Sequence, residues 1–265
     1  MTMDHLPFTV DTIEMFLLML TRVLAIVLLL PIFGSNAVPV QIRIALALLL
    51  TVLLFVSMPS AHAAVPPAPH SAAMMIFCIV KELLIGLTIG FTTVFIFAAV
   101  HFATRLVDVE MGFGMVELVD PLSEERTTVM GQLWIVVFTI MLLAINGHYF
   151  FLLAVQKSFE LIPVFGLDFQ SGRTAAHFSG MVGELFVLAL KLSAPVYVAL
   201  ILAEMALGVV ARTVPQINIF FVGLPLKIMV GIAATIIAFP IIGTLFRKIF
   251  EGLVQDIWSV LYLMA

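Results

Sequence analysis

The chain of 265 residues is 63% hydrophobic and 11% charged, with a mean hydropathy of +1.24. Soluble domains run about 45–50% apolar and about 25% charged, so a water-soluble fold lacks the interior to hide this much hydrocarbon, and a membrane or membrane-associated assembly is expected. A net charge of -4 without any basic run argues against nucleic-acid binding, and the single cysteine, Cys78, excludes an internal disulfide.

The flank before the first basic residue, Arg22, carries Asp4, Asp11 and Glu14. A cleavable signal has the opposite charge there, so none is expected. Ala61-His62-Ala63 imitates a cleavage site but lies too far along the chain. Ile13 to Phe33 is the first apolar stretch, ended by Pro31 and Gly34. About 20 helical residues cross a hydrocarbon core of roughly 30 Å, so its length suffices. Arg22 is its difficulty, because a mid-helix arginine costs about 2.5–3.5 kcal/mol on insertion scales unless it finds a partner. Ser35 to Pro39 reads as a tight turn into a second helix that begins near Arg43 and ends by Met58. Residues 1–58 therefore form a helical hairpin partly embedded in protein.

Residues 59–72 are rich in proline and alanine and read as a linker. His62 and His70 within it have neither acids nor thiols nearby and read as loop histidines. Residues 73–180 hold the central helices. Met74 to Ala103 is a long apolar segment containing Lys81 and Glu82, which point about 100° apart on a helix and so seek different partners. Gly86 and Gly90 form a Gly-x-x-x-Gly that permits close helix approach. Residues 106–126 form a loop, and Asp108 to Arg126 is the most charge-dense part of the chain. Its middle is nevertheless apolar: Met111, Gly112, Phe113, Gly114, Met115 and Val116. Its acids are able to bind a cation, but Asp120 as N-cap with Pro121 at N1 accounts for them better as a helix start. Val129 to Val155 carries no charge, and Asn146-Gly147 within it is a turn signal that divides the run into two shorter helices. His148 follows, without an acidic neighbour.

Lys157 to Gly180 reads as a second polar connection, with Pro163 and Gly166 as breakers. Residues 181–265 form a C-terminal hairpin and tail. Glu184 and Lys191 share one helix face, as do Glu204 and Arg212. Such charges do not face lipid; they mark an ion pathway or an interface with other subunits. Ala211 to Lys227 reads as a hairpin turn centred on Pro215-Gln216. Ile228 to Phe246 is the uncharged helix after it, closed by Arg247 and Lys248, and Phe250 to Ala265 a short amphipathic tail helix.

No HExxH, Gly-x-Ser-x-Gly, P-loop or CxxC occurs, and Gly112-Phe113-Gly114 lacks the third glycine of a dinucleotide site. An enzyme, a cofactor and a metal are not expected. A small-solute transporter would use the intramembrane charges as its pathway and would often show inverted repeats. A channel subunit for macromolecules needs a deformable seal, for which Gly-Phe-Gly-Met is suited: glycine yields, while phenylalanine and methionine fill space.

Several landmarks in order along nearly the whole chain resemble the FliR family of flagellar export-apparatus membrane proteins. They are Thr21-Arg22-Val23 with Pro31 and Val38-Pro39; Met111 to Met115 ending in Val119-Asp120-Pro121; Ile145-Asn146-Gly147-His148; and Pro215 to Asn218 followed by Phe221 to Pro225. Injectisome homologues of virulence type III secretion look similar but less close. The resemblance implies an all-α, multi-helix membrane-associated protein of helical hairpins, with a FliP-like N-terminal part and a FliQ-like C-terminal part. It implies one copy beside five FliP-like and four FliQ-like subunits, with FlhB-like and FlhA-like partners, in the bacterial inner membrane at the flagellar basal body. Unfolded flagellar proteins would pass through this gate, and Met111 to Val116 would match the family's channel plug. Arg22, Lys81, Glu82, Glu184, Lys191, Glu204, Arg212 and Lys227 would then meet neighbouring subunits.

Overall fold

Long apolar runs have one way to satisfy their own backbone hydrogen bonds away from water and without neighbouring strands, which is the α-helix. The computed structural model describes residues 10–30, 33, 38–57, 72–113, 129–164, 171–214, 216 and 218–264. Every element among them is a helix: α1 (Val10–Leu29), α2 (Val40–Ser57), α3 (Ala72–Met111), α4 (Val129–Ala144), α5 (Gly147–Leu161), α6 (Ser171–Thr213) and α7 (Ile219–Met264). The protein is all-α, as expected. Among the described residues, five helices are long and apolar enough to cross a membrane, or six if the bent pair α4 and α5 counts as one span. At 1.5 Å per residue, α3, α6 and α7, of 40, 43 and 46 residues, extend about 60–70 Å, twice the thickness of a hydrocarbon core.

α1 and α2 pack side by side. Pro39 opens α2, where its carbonyl accepts the amides of Ile42 and Arg43 at 3.0 and 3.3 Å, and the Arg43 Nε donates to the Val38 carbonyl at 3.0 Å. Phe16 of α1 meets Phe55 of α2 edge-on, 5.7 Å between centroids. Asn146 adopts φ 57°, a left-handed conformation that asparagine tolerates better than most residues, and there the uncharged run divides into α4 and α5. The proline-rich linker lies outside the described residues from 58 to 71, His62 and His70 with it.

Three boundaries differ from expectation. Lys157 to Leu161 belong to α5, and α6 already starts at Ser171, so the second polar connection shrinks to the residues between them. The Lys157 Nζ pairs with Glu160 at 2.5 Å on the exposed face of α5, which lets a charged segment stay helical, and Pro163 ends it. Pro225 and Lys227, read as part of a turn, lie inside α7, whose first turn is held by the Asn218 carbonyl accepting from Phe221 and Val222. An interior proline removes one backbone donor, whereas ending the helix in an apolar setting would strand several. The tail is not separate either: α7 runs through the exposed Arg247 and Lys248 to Met264, because Ile249 and Phe250 directly after them are buried.

The residues cluster into two compact units: Met1–Phe95, Gly147–Gly180 and Gly252–Ala265 in the first, Ile96–Asn146 and Met181–Glu251 in the second. The core of the first unit includes Leu18, Ile26, Ile85, Phe159, Val260 and Leu261. Within it, α1 and α3 touch almost backbone to backbone. A Cβ at Gly86 would lie 2.6 Å from the Arg22 carbonyl oxygen, and one at Gly90 would lie 2.7 Å from the Leu29 Cβ. The Gly-x-x-x-Gly does serve close approach. In the second unit Trp134, Phe138 and Phe246 stack through ring contacts of 6.0 and 4.7 Å.

Because the atom opposing Gly86 is backbone, Gly86→Ala is expected to destabilise the protein by about 1–3 kcal/mol. Gly183, with nothing within 4 Å of its would-be Cβ, serves as the control. Thermal unfolding of the two purified variants in detergent checks this, with Gly183→Ala expected at or slightly above the parent.

Candidate functional site

Two clusters, one in each unit, hold four of the eight charged residues singled out from sequence: Arg22 and Glu82 in the first, Glu204 and Lys227 in the second. In the first unit, Arg22 and Glu82 are both 0% exposed. The guanidinium donates from Nε to Glu82 Oε2 at 2.5 Å and from Nη2 to Glu82 Oε1 at 3.0 Å, a two-pronged pair. Its Nη1 donates to the carbonyls of Ser158 and Ile162 at 2.8 and 3.0 Å. Those carbonyls belong to the last turn of α5 and the residue after it; the Ser158 carbonyl also accepts from the Ile162 amide at 3.0 Å, while Ile162 lies past the helix, so Arg22 caps that end. The Phe159 ring covers the cation at 4.3 Å. The partners expected for Arg22 and Glu82 in neighbouring subunits are thus found inside the chain, because a buried charge is satisfied most cheaply by a fixed partner beside it. Glu82 turns to Arg22 although Lys81 is its neighbour in sequence, and Lys81 is itself buried.

In the second unit the cluster gathers where α3 ends at Met111, residues 106–111 being helical where a loop was expected. The Phe113 amide donates to the Asp108 carbonyl at 3.0 Å and the Gly112 amide to the Val109 carbonyl at 3.1 Å. With Gly112 at φ 89° this is a Schellman cap, in which the residue after the helix must take a left-handed conformation. A Cβ on Gly112 would also lie 2.8 Å from the Leu224 Cδ2. Gly112, expected to lend flexibility, instead serves as the terminator of α3. Met111, expected as the first residue of a plug, is 0% exposed. Its side chain fills a notch at Gly231 on α7, where a Cβ would sit 2.6 Å from the Met111 Sδ. Phe113 is half-buried, and Gly114, Met115, Val116, Asp120 and Pro121 lie outside the described residues.

Immediately before the cap stands Glu110. The Lys227 Nζ lies 3.8 Å from Glu110 Oε2 and 3.2 Å from Glu204 Oε1, so one ammonium serves acids from α3 and α6. Tyr197 on α6 lies close to Glu110 as well. Glu204, which shares a face of α6 with Arg212, therefore turns to Lys227 on α7. Glu184, Lys191 and Arg212 are exposed. Sequence reasoning did not single out Tyr197, Ser158 or Gly231. Each matters through a partner distant in the chain, and no local pattern announces it.

The fold and these two clusters define an all-helical membrane protein whose charges are organised inside the chain and at the root of a central loop. The sequence matches the bacterial export proteins, family 1, over residues 13–253. The flagellar biosynthetic protein FliR of Bacillus subtilis (strain 168) is 32% identical over 258 residues, covering 97% of this chain and 98% of that protein. FliR of Escherichia coli (strain K12) is 30% identical over 249 residues, covering 92% and 93%. FliR of Aquifex aeolicus (strain VF5) is 27% identical over 249 residues, covering 90% and 93%. The chain belongs to the FliR family of bacterial export proteins.

Arg22→Met leaves Glu82 buried without its cation and is expected to cost about 3–5 kcal/mol, whereas Arg22→Met with Glu82→Met should cost clearly less. The amounts of folded protein in membranes, and denaturant midpoints in detergent, distinguish the two. Equal losses in single and double variants would show that the pair is not the origin of the effect.

Proposed function

We propose that this chain is a core subunit of the flagellar type III protein export gate. In this reading it helps to form, and plugs, the channel through which unfolded flagellar proteins leave the cytoplasm across the inner membrane. Its partners are FliP-like and FliQ-like subunits in a helical complex, joined by FlhB-like and FlhA-like proteins. The observation that carries the reading is the match to FliR proteins along nearly the full length of both chains. The work of such a subunit is passage and closure rather than chemistry.

The plug is residues 111–116, and the placement of Met111, Gly112 and Phe113 supports it. The Schellman cap turns the backbone out of α3 at Gly112, so the apolar run starts from a defined point. Met111 is the buried foot of that run, and Phe113 to Val116 supply its bulk. Glu184, Lys191 and Arg212, exposed on a helix twice as long as a bilayer core is thick, supply contacts to neighbouring subunits.

Deleting Gly112 to Met115 in the assembled complex is expected to raise resting ion conductance across the membrane several-fold, read by patch recording or by dye-loaded vesicles. Conductance unchanged from the parent would sink the plug. Separately, Glu184→Gln with Lys191→Met should lower co-purification of the FliP-like and FliQ-like partners, and a normal yield of all three would count against an interface there.

A further inference from the structure

We propose that the root of the loop, Glu110 to Gly112, is a releasable anchor, and that Lys227 is the positioning residue that holds it against α7 in the closed state. The proposal rests on the plug reading and adds to it the place where the plug lets go. Three contacts hold the root. Met111 lies in the Gly231 notch, Gly112 packs over Leu224, and Glu110 reaches Lys227. The notch exists only because position 231 has no side chain, so α7 is shaped to take a methionine there. Methionine is unbranched and conformationally adaptable, which suits a side chain that must leave and return.

The charges make release inexpensive. Lys227 sits between two carboxylates, and Glu204 is the nearer at 3.2 Å, against 3.8 Å for Glu110. When the end of α3 lifts, the ammonium keeps Glu204, so no cation is stranded in an apolar setting. Glu110 and Glu204 carry one more negative charge than Lys227 can neutralise, and their mutual repulsion favours departure of the more weakly held one. Glu110 is itself part-exposed and reaches solvent or another cation as it leaves. A single Glu–Lys pair would have to break outright, whereas this fork exchanges two partners for one. The cap holds as long as α3 ends at Gly112, so the root moves as a unit.

The test uses the full export complex in membranes. Met111→Cys with Gly231→Cys, in a Cys78→Ala background that removes the sole native cysteine, places two thiols within disulfide reach: a Cβ at position 231 lies 2.7 Å from the present Met111 Cγ. Oxidation is expected to lower secretion of flagellar substrate at least tenfold, with recovery on adding reductant to the same preparation. Secretion by the oxidised protein at the reduced protein's rate would overturn the anchor. Failure of the disulfide to form would overturn it too, since Met111 would then not occupy the notch. Independently, Lys227→Met should raise resting ion leak several-fold while Lys227→Arg restores closure. A silent Lys227→Met contradicts the proposal. If the loop deletion fails to leak, the plug reading fails; if the deletion leaks but the cross-linked protein still exports, only the anchor fails.

Discussion

A guanidinium with no water around it must find acceptors for its hydrogen bonds on every side, and Arg22 finds them at two other helices. Glu82 on α3 neutralises it, the end of α5 lends it two carbonyls, and Phe159 closes over its face. This single requirement sets the spacing of the first unit. The Gly86 would-be Cβ falls against the Arg22 backbone itself, so the close approach of α1 and α3 brings Glu82 within reach one turn away. Replace the contact by lipid and the arginine becomes the most expensive residue in its helix. Placed as it is, it joins three elements that would otherwise share only apolar surface.

The second unit solves a related problem with the opposite economy. Its charges stay part-exposed, at longer distances, and in unequal number. Strong, saturated bonding fixes the first cluster; loose, shared bonding leaves the second free to rearrange. The difference follows from burial, since a pair at the edge of solvent loses little when it opens and a pair sealed from water loses a great deal.

Much of this was legible in the residues themselves. The apolar composition and scattered breakers predict an all-helical membrane protein, and Asn146-Gly147 and Val38-Pro39 mark real boundaries because their backbone preferences are local. Pro225, Arg247 and Lys248 misled for the same reason. Each is a local stop signal, overruled where a continuing helix buries Ile249 and Phe250 or spares several backbone groups. Of the site, the apolar run could be read, but neither its root nor its construction could: α3 continues through residues 106–111, where a loop was expected. That Gly112 is a cap depends on the carbonyls of Asp108 and Val109, and that Met111 is buried depends on a glycine far along the chain. From sequence, Glu204 and Arg212 share a helix face; in the fold Glu204 pairs with Lys227, whose side chain approaches from α7.

The clasp on Arg22 also carries a meaning in time. Its last acceptor, Ile162, lies 140 residues downstream. At about 5–20 residues per second, a ribosome needs roughly 7–28 s to deliver it after Arg22 has been made. Until then α1 lacks the full set of groups that make its arginine tolerable in an apolar setting: Glu82 follows 60 residues after it, the α5 carbonyls only at the end. The first helix to be synthesised is therefore among the last to settle, and whatever shelters it meanwhile, whether insertion machinery or the aqueous border of the bilayer, is as much a condition of the fold as any contact in the finished molecule.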